Sequence, residues 1–378
     1  MVKPMTDKQN TSGLDGVIAG ETAISTLNDG LHYRGYAIED LVRDATFTEV
    51  AYLLLHGELP MAEAFADFRA ILAESAEVPD AVIQLLHELP LHIAPIDVLR
   101  TSISALGHFD LQVNENDATA NLGKAIRLLG QIPVLIAARD RLTRGLELVE
   151  SDSELSFAGN FWSLLHGRLP SAREERALER TLICYADHEF NASTFTARIV
   201  ASTGSDLHSA VTAAVGALKG PLHGGAIENV WEEIRQVESP SDAEKFVRDA
   251  ILKKRRIAGF GHRVYRDRPD PRAELLKEVS RDLATTDEQQ QLEEIADVIE
   301  AAMWKHKELR PNVDWPTARI YHSLGFDAEL FTPLFVAARV IGWSAHVIEQ
   351  QSANRLIQPR SNYVGAKARA FVPLPDRE

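Results

Sequence analysis

Apolar residues in this chain recur at intervals of three and four, and the two-residue alternation of a half-buried strand is scarce from one end to the other. The pattern is clearest over residues 205–219. Leu207, Ala210, Val211, Ala214 and Leu218 fall on one helical face, Ser205 or Asp206 can cap the start, and Gly220-Pro221 ends the run. Small residues there (Ala213, Gly216, Ala217) let a second helix approach closely, in a subunit interface or a monomeric core alike. Further helical runs are expected over 79–89, 96–106, 118–144, 174–186, 240–256, 271–283 and 289–307. Thr48 can cap a helix that Gly57 and Pro60 terminate. Leu164-Leu165-His166-Gly167-Arg168-Leu169-Pro170 echoes Leu54 to Pro60 at the next such stop, which makes His56 and His166 structural residues. Thr332-Pro333 opens the most apolar segment, 334–348, with Pro at the first helical position. It carries Arg339 and His346 and reads as a buried core helix, too short to span a bilayer. Short strands or an irregular arm over 14–25 and an irregular tail over 359–378 complete an all-α reading.

At 378 residues the chain exceeds one small core, so two domains are expected. The stretch 221–322 is more charged and has its own helices. It reads as a small domain inserted between the two parts of a large one, 1–220 and 323–378. With 55 acidic against 40 basic residues the formal charge is -15, which disfavours nucleic acid and anionic membrane as partners. A single cysteine, Cys184, excludes an intrachain disulfide, and the polar start over 1–13 lacks a signal-peptide core, which together point to the cytoplasm.

Three stretches carry chemistry. In Gly259-Phe-Gly-His262-Arg-Val-Tyr-Arg-Asp-Arg-Pro-Asp-Pro-Arg272, a histidine follows two glycines and precedes a run of arginines suited to carboxylates and phosphates. The basic run 253–256 just before it suits a phosphorylated cofactor. In Gly220-Pro-Leu-His223-Gly-Gly-Ala226 a histidine sits near a helix start, where the dipole favours its neutral form and the ring can donate to a developing oxyanion. In Pro311-Asn-Val-Asp314-Trp315 a carboxylate follows an irregular turn that can aim it. Two histidines and an aspartate form a set for removing a proton next to a carbonyl. His-Glu-x-x-His and Cys-x-x-Cys patterns are absent, which weighs against a metal-dependent hydrolase.

The set resembles the citrate synthase family. Tyr33-Arg-Gly-Tyr36, Ala186-Asp-His-Glu-Phe-Asn-Ala-Ser-Thr-Phe195, the three stretches above, residues 331–350 and Asn354-Arg-Leu-Ile357 carry the resemblance along nearly the whole chain. It implies a two-domain citrate synthase-like fold, a large helical domain plus a smaller mobile one, in a homodimer whose site is shared between subunits. The implied reaction joins acetyl-CoA to oxaloacetate and hydrolyses the thioester, without a metal. Asp314 would be the base, His223 would bond the thioester oxygen, and His262 would protonate the oxaloacetate carbonyl. His188, Asn191 and Arg272 would hold oxaloacetate, with Arg377 reaching in from the partner. Gln358 stands where the family has a carboxylate-binding arginine, and Arg360 follows closely. Arg256 and Arg266 would face CoA phosphates, while Ile257, Ala258, Gly259 and Gly261 would border the adenine. The Asp-His-Glu-Phe-Asn motif, Trp315 and the Thr-Pro-Leu-Phe run look as much like 2-methylcitrate synthases, which take propionyl-CoA. A non-catalytic acyl-CoA-binding relative is a remote alternative, disfavoured by the presence of His223, His262 and Asp314 together.

Overall fold

The computed structural model describes residues 17–377, so the polar start over 1–13 and residues 14–16 of the expected arm lie outside the described residues. Within them helices dominate: α1 (Ile38–Asp44), α2 (Phe47–His56), α3 (Ala62–Glu74), α4 (Asp80–Glu88), α5 (Pro95–Leu106), α6 (Ala118–Thr143), α7 (Phe157–His166), α8 (Ala172–Tyr185), α9 (Ala192–Ser202), α10 (Leu207–Leu218), α11 (Ala226–Ile234), α12 (Pro240–Leu252), α13 (Pro271–Leu283), α14 (Asp287–Lys307), α15 (Asp314–Ser323) and α16 (Phe331–Ser352). Three two-residue strands, β1 (Ser25–Thr26), β2 (His32–Tyr33) and β3 (Tyr36–Ala37), form an antiparallel sheet in that order. The fold is all-α, and the tail after α16 is irregular except for a short 3₁₀ turn at Leu374–Asp376.

Local chemistry explains most helix ends. Asp206 caps α10, its carboxylate accepting from the Ser209 amide. At α2 the cap is Thr46, not Thr48: Thr46 and Glu49 exchange side-chain and backbone hydrogen bonds in a capping box, and Thr48 is buried in the first turn. The matching ends of α2 and α7 stop at Gly57 and Gly167, both left-handed at φ 94° and 68°. Before each glycine the histidine stacks on the aromatic ring one turn earlier, His56 on Tyr52 at 4.0 Å and His166 on Trp162 at 4.1 Å, as their structural role requires. α12 stops at Leu252, short of the expected 256, and leaves the basic run on a turn outside the helix.

α16 is the central strut. It packs against α6, α9, α10, α8 and α2, and is buried around nearly its whole circumference. By length and composition the segment Ala328–Ser352 could cross a membrane, but it lies inside the fold. Pro333 is its third residue rather than its first, because a 3₁₀ turn at Ala328–Leu330 leads into the helix. Helices α11–α15 pack on one another in the pairs α12–α14, α13–α15 and α11–α15, and α13 also contacts α8 and α1.

One glycine fixes how closely α16 approaches the end of α8. A Cβ on Gly342 would collide with the Ala186 carbonyl and lie 2.6 Å from Asp187 Oδ1. Gly→Ala inside a helix ordinarily gains up to about 1 kcal/mol, whereas overpacking costs about 1–3 kcal/mol. Here the obstacle includes backbone, so Gly342→Ala is expected to lower unfolding stability by about 1–3 kcal/mol in a denaturant titration. A stabilised variant would show that the contact relaxes freely.

Candidate active site

Backbone pairing brings two of the three chemical stretches together. The Gly261 amide donates to the Arg310 carbonyl at 2.8 Å, and the Asn312 amide donates to the Gly259 carbonyl at 2.9 Å. Asn312 Nδ2 also reaches the Gly261 carbonyl at 3.1 Å. Gly259 and Gly261 both have positive φ, 82° and 80°, and a Cβ on Gly259 would press on Trp315 and Val230. Glycine is therefore required where the His262 loop lies against the Asp314 turn.

The His262 ring closes a small turn of its own. Its Nδ1 accepts from the Val264 amide at 3.0 Å and the Tyr265 amide at 3.4 Å. An amide can only donate, so the neutral ring carries its proton on Nε2. Burial, reinforced by the positive charge of Arg272, pushes its pKa down to about 4. The His188 ring stands edge-on to it at 5.1 Å and meets the Tyr265 hydroxyl through Nε2 at 3.2 Å. Burial and then Arg272 hold His188 well below the usual histidine range.

His223 arrives from the α10–α11 turn. Its Nε2 lies 2.8 Å from Ser193 Oγ and accepts from the Ser193 amide at 3.3 Å, which leaves the ring proton on Nδ1. Asn191 caps α9 and shares its Oδ1 with the Ser193 hydroxyl at 2.8 Å, while Trp343 Nε1 donates to that hydroxyl at 3.1 Å. His223 is neutral, its pKa pushed down to about 4, but not through a helix dipole: α11 begins three residues later, and burial followed by the Arg339 charge is the cause. The two histidines thus present opposite ring nitrogens as donors.

Asp314 is the first residue of α15, and the Tyr185 hydroxyl donates to its Oδ1 at 2.7 Å. Burial raises the carboxyl to about 6, against the pull of that hydrogen bond and of Arg272. Arg272 opens α13 and is buried. Asp270, the helix cap, grips it with Nε–Oδ1 at 3.0 Å and Nη2–Oδ2 at 2.8 Å, and also accepts from the Val313 amide at 3.2 Å. Burial works against the guanidinium, but Asp270 outweighs it and holds the pKa above the ordinary value. The loop between Arg266 and Arg272 is tied down from outside by Arg268, which donates to the Leu27 carbonyl.

Arg339 completes the ring of charges. It is fully buried in α16, its Nε donates to the Tyr185 carbonyl at 2.5 Å, and burial pushes its pKa down to about 10. Its charge bears on His188, His223 and Asp314. Arg339, Tyr185, Ser193 and Asp270 are site residues that motif reading passed over. Arg339 alone had a signal in the sequence, a guanidinium within the most apolar stretch of the chain.

The other expected residues lie apart. A cleft beside the His262 loop is lined by Lys254, Arg255, Arg256, Ile257, Phe260 and Lys307, among others. Arg256 is exposed there, Ile257 is buried, and the Ala258 amide donates to Glu233 Oε2 at 3.2 Å. Arg266 is exposed, and its Nε donates to the Arg263 carbonyl at 3.1 Å. Gln358 and Arg377 lie on the exposed tail. Arg377 bonds the Val372 carbonyl at 2.8 Å and lies over the Phe371 ring, with neither contact among the histidines.

Comparison with known proteins identifies the family. The family model described as citrate synthase, C-terminal domain, matches residues 13–360. Citrate synthase 2 of Bacillus subtilis is 44% identical over 369 residues, 97% of this chain and 99% of the relative. The 2-methylcitrate synthase of Shewanella oneidensis is 42% identical over 374 residues, 98% of this chain and 99% of the relative. Among solved structures, citrate synthase from the archaeon Thermoplasma acidophilum, in a ternary complex with carboxymethyl coenzyme A and oxaloacetate, superposes with a TM-score of 0.91 at 32% identity, covering 98% of this chain and 100% of that one. A shared fold, a shared length and this identity along the whole of it make the chain a member of the citrate synthase family of enzymes.

Proposed function

We propose that the protein condenses acetyl-CoA with oxaloacetate and hydrolyses the product thioester, releasing citrate and CoA. The observation that carries this reading is a buried carboxylate raised to about 6 and two neutral histidines of opposite tautomer, with Arg272 bearing on Asp314 and His262 and Arg339 on Asp314 and His223. Asp314 takes a methyl proton from the acyl group, and the electron pair moves onto the thioester oxygen, which His223 Nδ1–H stabilises. The enol carbon then bonds to the oxaloacetate carbonyl carbon, whose oxygen takes a proton from His262 Nε2–H. Water attacks the resulting thioester and CoA leaves as the thiol. A carboxylate of this strength cannot hold a carbon-acid proton unless the enolate is stabilised as it forms, hence the neutral donor on the far side.

Arg272 and Arg339 supply buried positive charge for the oxaloacetate carboxylates, with His188 and Asn191 shaping the pocket. CoA takes the cleft at 254–260, its phosphates toward Arg256 and Arg266 and its adenine along residues 257–261. The enzyme works in the cytoplasm as a homodimer, each tail placing Gln358 and Arg377 toward the partner's site. The segment 221–322 closes as a mobile domain that shuts water out. No metal takes part. Propionyl-CoA is the second reading, favoured by the 2-methylcitrate synthase relative at nearly the same identity. One methylene is worth only about 1–3 kcal/mol of discrimination in an apolar pocket.

Release of CoA thiol, with oxaloacetate and either acyl-CoA at equal subsaturating concentration, tests both. Faster release from acetyl-CoA supports a citrate synthase, and faster release from propionyl-CoA a 2-methylcitrate synthase. Folded protein that releases no thiol from either would refute both. The pH dependence follows from the same groups. Asp314 must be ionised, so kcat/KM is expected to fall about tenfold per unit below its pKa, which burial raises to about 6. The histidines, already neutral there, add no basic limb. A profile flat from pH 5 to 8 would contradict the assignment of the base.

A further inference from the structure

The hydroxyl of Tyr185 is the one hydrogen-bond donor to the Asp314 carboxylate among the described residues. Tyr185 is the last residue of α8 and Asp314 the first of α15, so the bond joins two helices at the floor of the site. We propose that Tyr185 is the positioning residue of the base: its hydroxyl holds Oδ1, reserves Oδ2 for the substrate proton, and keeps the carboxylate ionised at neutral pH. The inference rests on the reading of Asp314 as base.

Three observations support it. The phenol is fixed, because Arg339 Nε bonds the Tyr185 carbonyl at 2.5 Å and the Phe335 ring packs edge-on at 4.4 Å. It is a permanent donor, because burial raises it well above the ordinary tyrosine value. Its bond is also the first influence that opposes the effect of burial on Asp314. The other groups facing the carboxylate come from every neighbouring element: Arg272 on α13, Asp270 just before it, Arg339 on α16 and Tyr321 on α15. Arg272 is gripped by Asp270, and Arg339 is bonded to the Tyr185 carbonyl, so neither replaces the phenol as donor to Oδ1. A hydrogen bond to the charged form of an acid favours that form, and its removal raises the pKa.

The test is Tyr185→Phe in the full-length protein, with kcat/KM for the acyl-CoA followed from pH 5 to 9 at saturating oxaloacetate. The acid limb is expected to move up by about one pH unit, so the rate falls about twofold at pH 7 and approaches a tenfold loss at pH 5. KM for oxaloacetate should stay within about twofold and the melting temperature close to the parent's. An acid limb that does not move overturns the proposal, even if the rate or the preference between acetyl- and propionyl-CoA changes, since a residue that merely lines the pocket would do that. If Tyr185→Phe fails to fold, Tyr185→Met carries the same readout, with the same shift expected. Asp314→Asn assayed in parallel separates the two readings. An inactive Asn variant with an unmoved limb in Tyr185→Phe refutes the role of Tyr185 alone, whereas an active Asn variant refutes the base itself and this inference with it.

Discussion

Asp314→Asn is expected to lower kcat by about 10³–10⁴-fold while the affinity for CoA and the melting temperature stay near those of the parent. The amide occupies the same volume and can still accept from the Tyr185 hydroxyl at the Oδ1 position, so α15 keeps its start and the Tyr185 bond its geometry. What is lost is the lone pair that removes the carbon-bound proton. Asparagine also removes a buried negative charge facing Arg272 and Arg339, so oxaloacetate binding should hold or tighten. The measurement pairs steady-state kinetics with calorimetric titration of CoA and oxaloacetate. Turnover within tenfold of the parent would show that another group takes the proton.

The second large effect concerns Arg339. Arg339→Met keeps an unbranched chain of similar length in the α16 core and discards the charge. Truncating one side of a buried, hydrogen-bonded charge interaction costs about 2–5 kcal/mol, so kcat/KM for oxaloacetate should fall by about 10²–10³-fold. Stability should respond much less. The guanidinium is held in a fully buried place that pushes its own pKa down to about 10. Replacing a buried ion by an apolar side chain is often neutral or stabilising. The Tyr185 carbonyl loses its hydrogen-bond partner, at about 1–3 kcal/mol, while the buried Asp187 carboxylate loses a facing charge but keeps Ser25 and His346. Activity and stability are thus expected to part company, and an unchanged KM and kcat for oxaloacetate would remove Arg339 from the site. His223 offers a further readout, since loss of the Arg339 charge should raise its pKa.

Much of the fold was legible because its signals are local. Apolar spacing marks α10 and α13 to within a few residues, and the glycine stops of α2 and α7 fall where their left-handed conformation needs them. Errors were also local. Thr48 and Thr46 are both cap candidates by residue type, but only Thr46 has Glu49 three positions on, and the basic run continues the charge pattern of α12 although the helix stops at Leu252. α9 has a weak local signal because Ala192–Ser202 is rich in small and hydroxyl residues, and its buried face is defined by α10 and α16, against which it packs.

The sequence by itself determined a helical protein with a negative surface balance. It also placed His262 and Asp314 next to irregular turns, since glycine, proline and asparagine there constrain the backbone whatever surrounds them. Only the tertiary structure decided the chemical state of the site. Tyr185 meets Asp314 across 129 positions and Arg339 meets Tyr185 across 154, separations that no periodicity encodes. The neutral form of His223, expected from a helix dipole, comes instead from burial and from Arg339 on a helix more than a hundred residues away. Burial and the placing of charges are properties of packed elements, and a pKa is set by both.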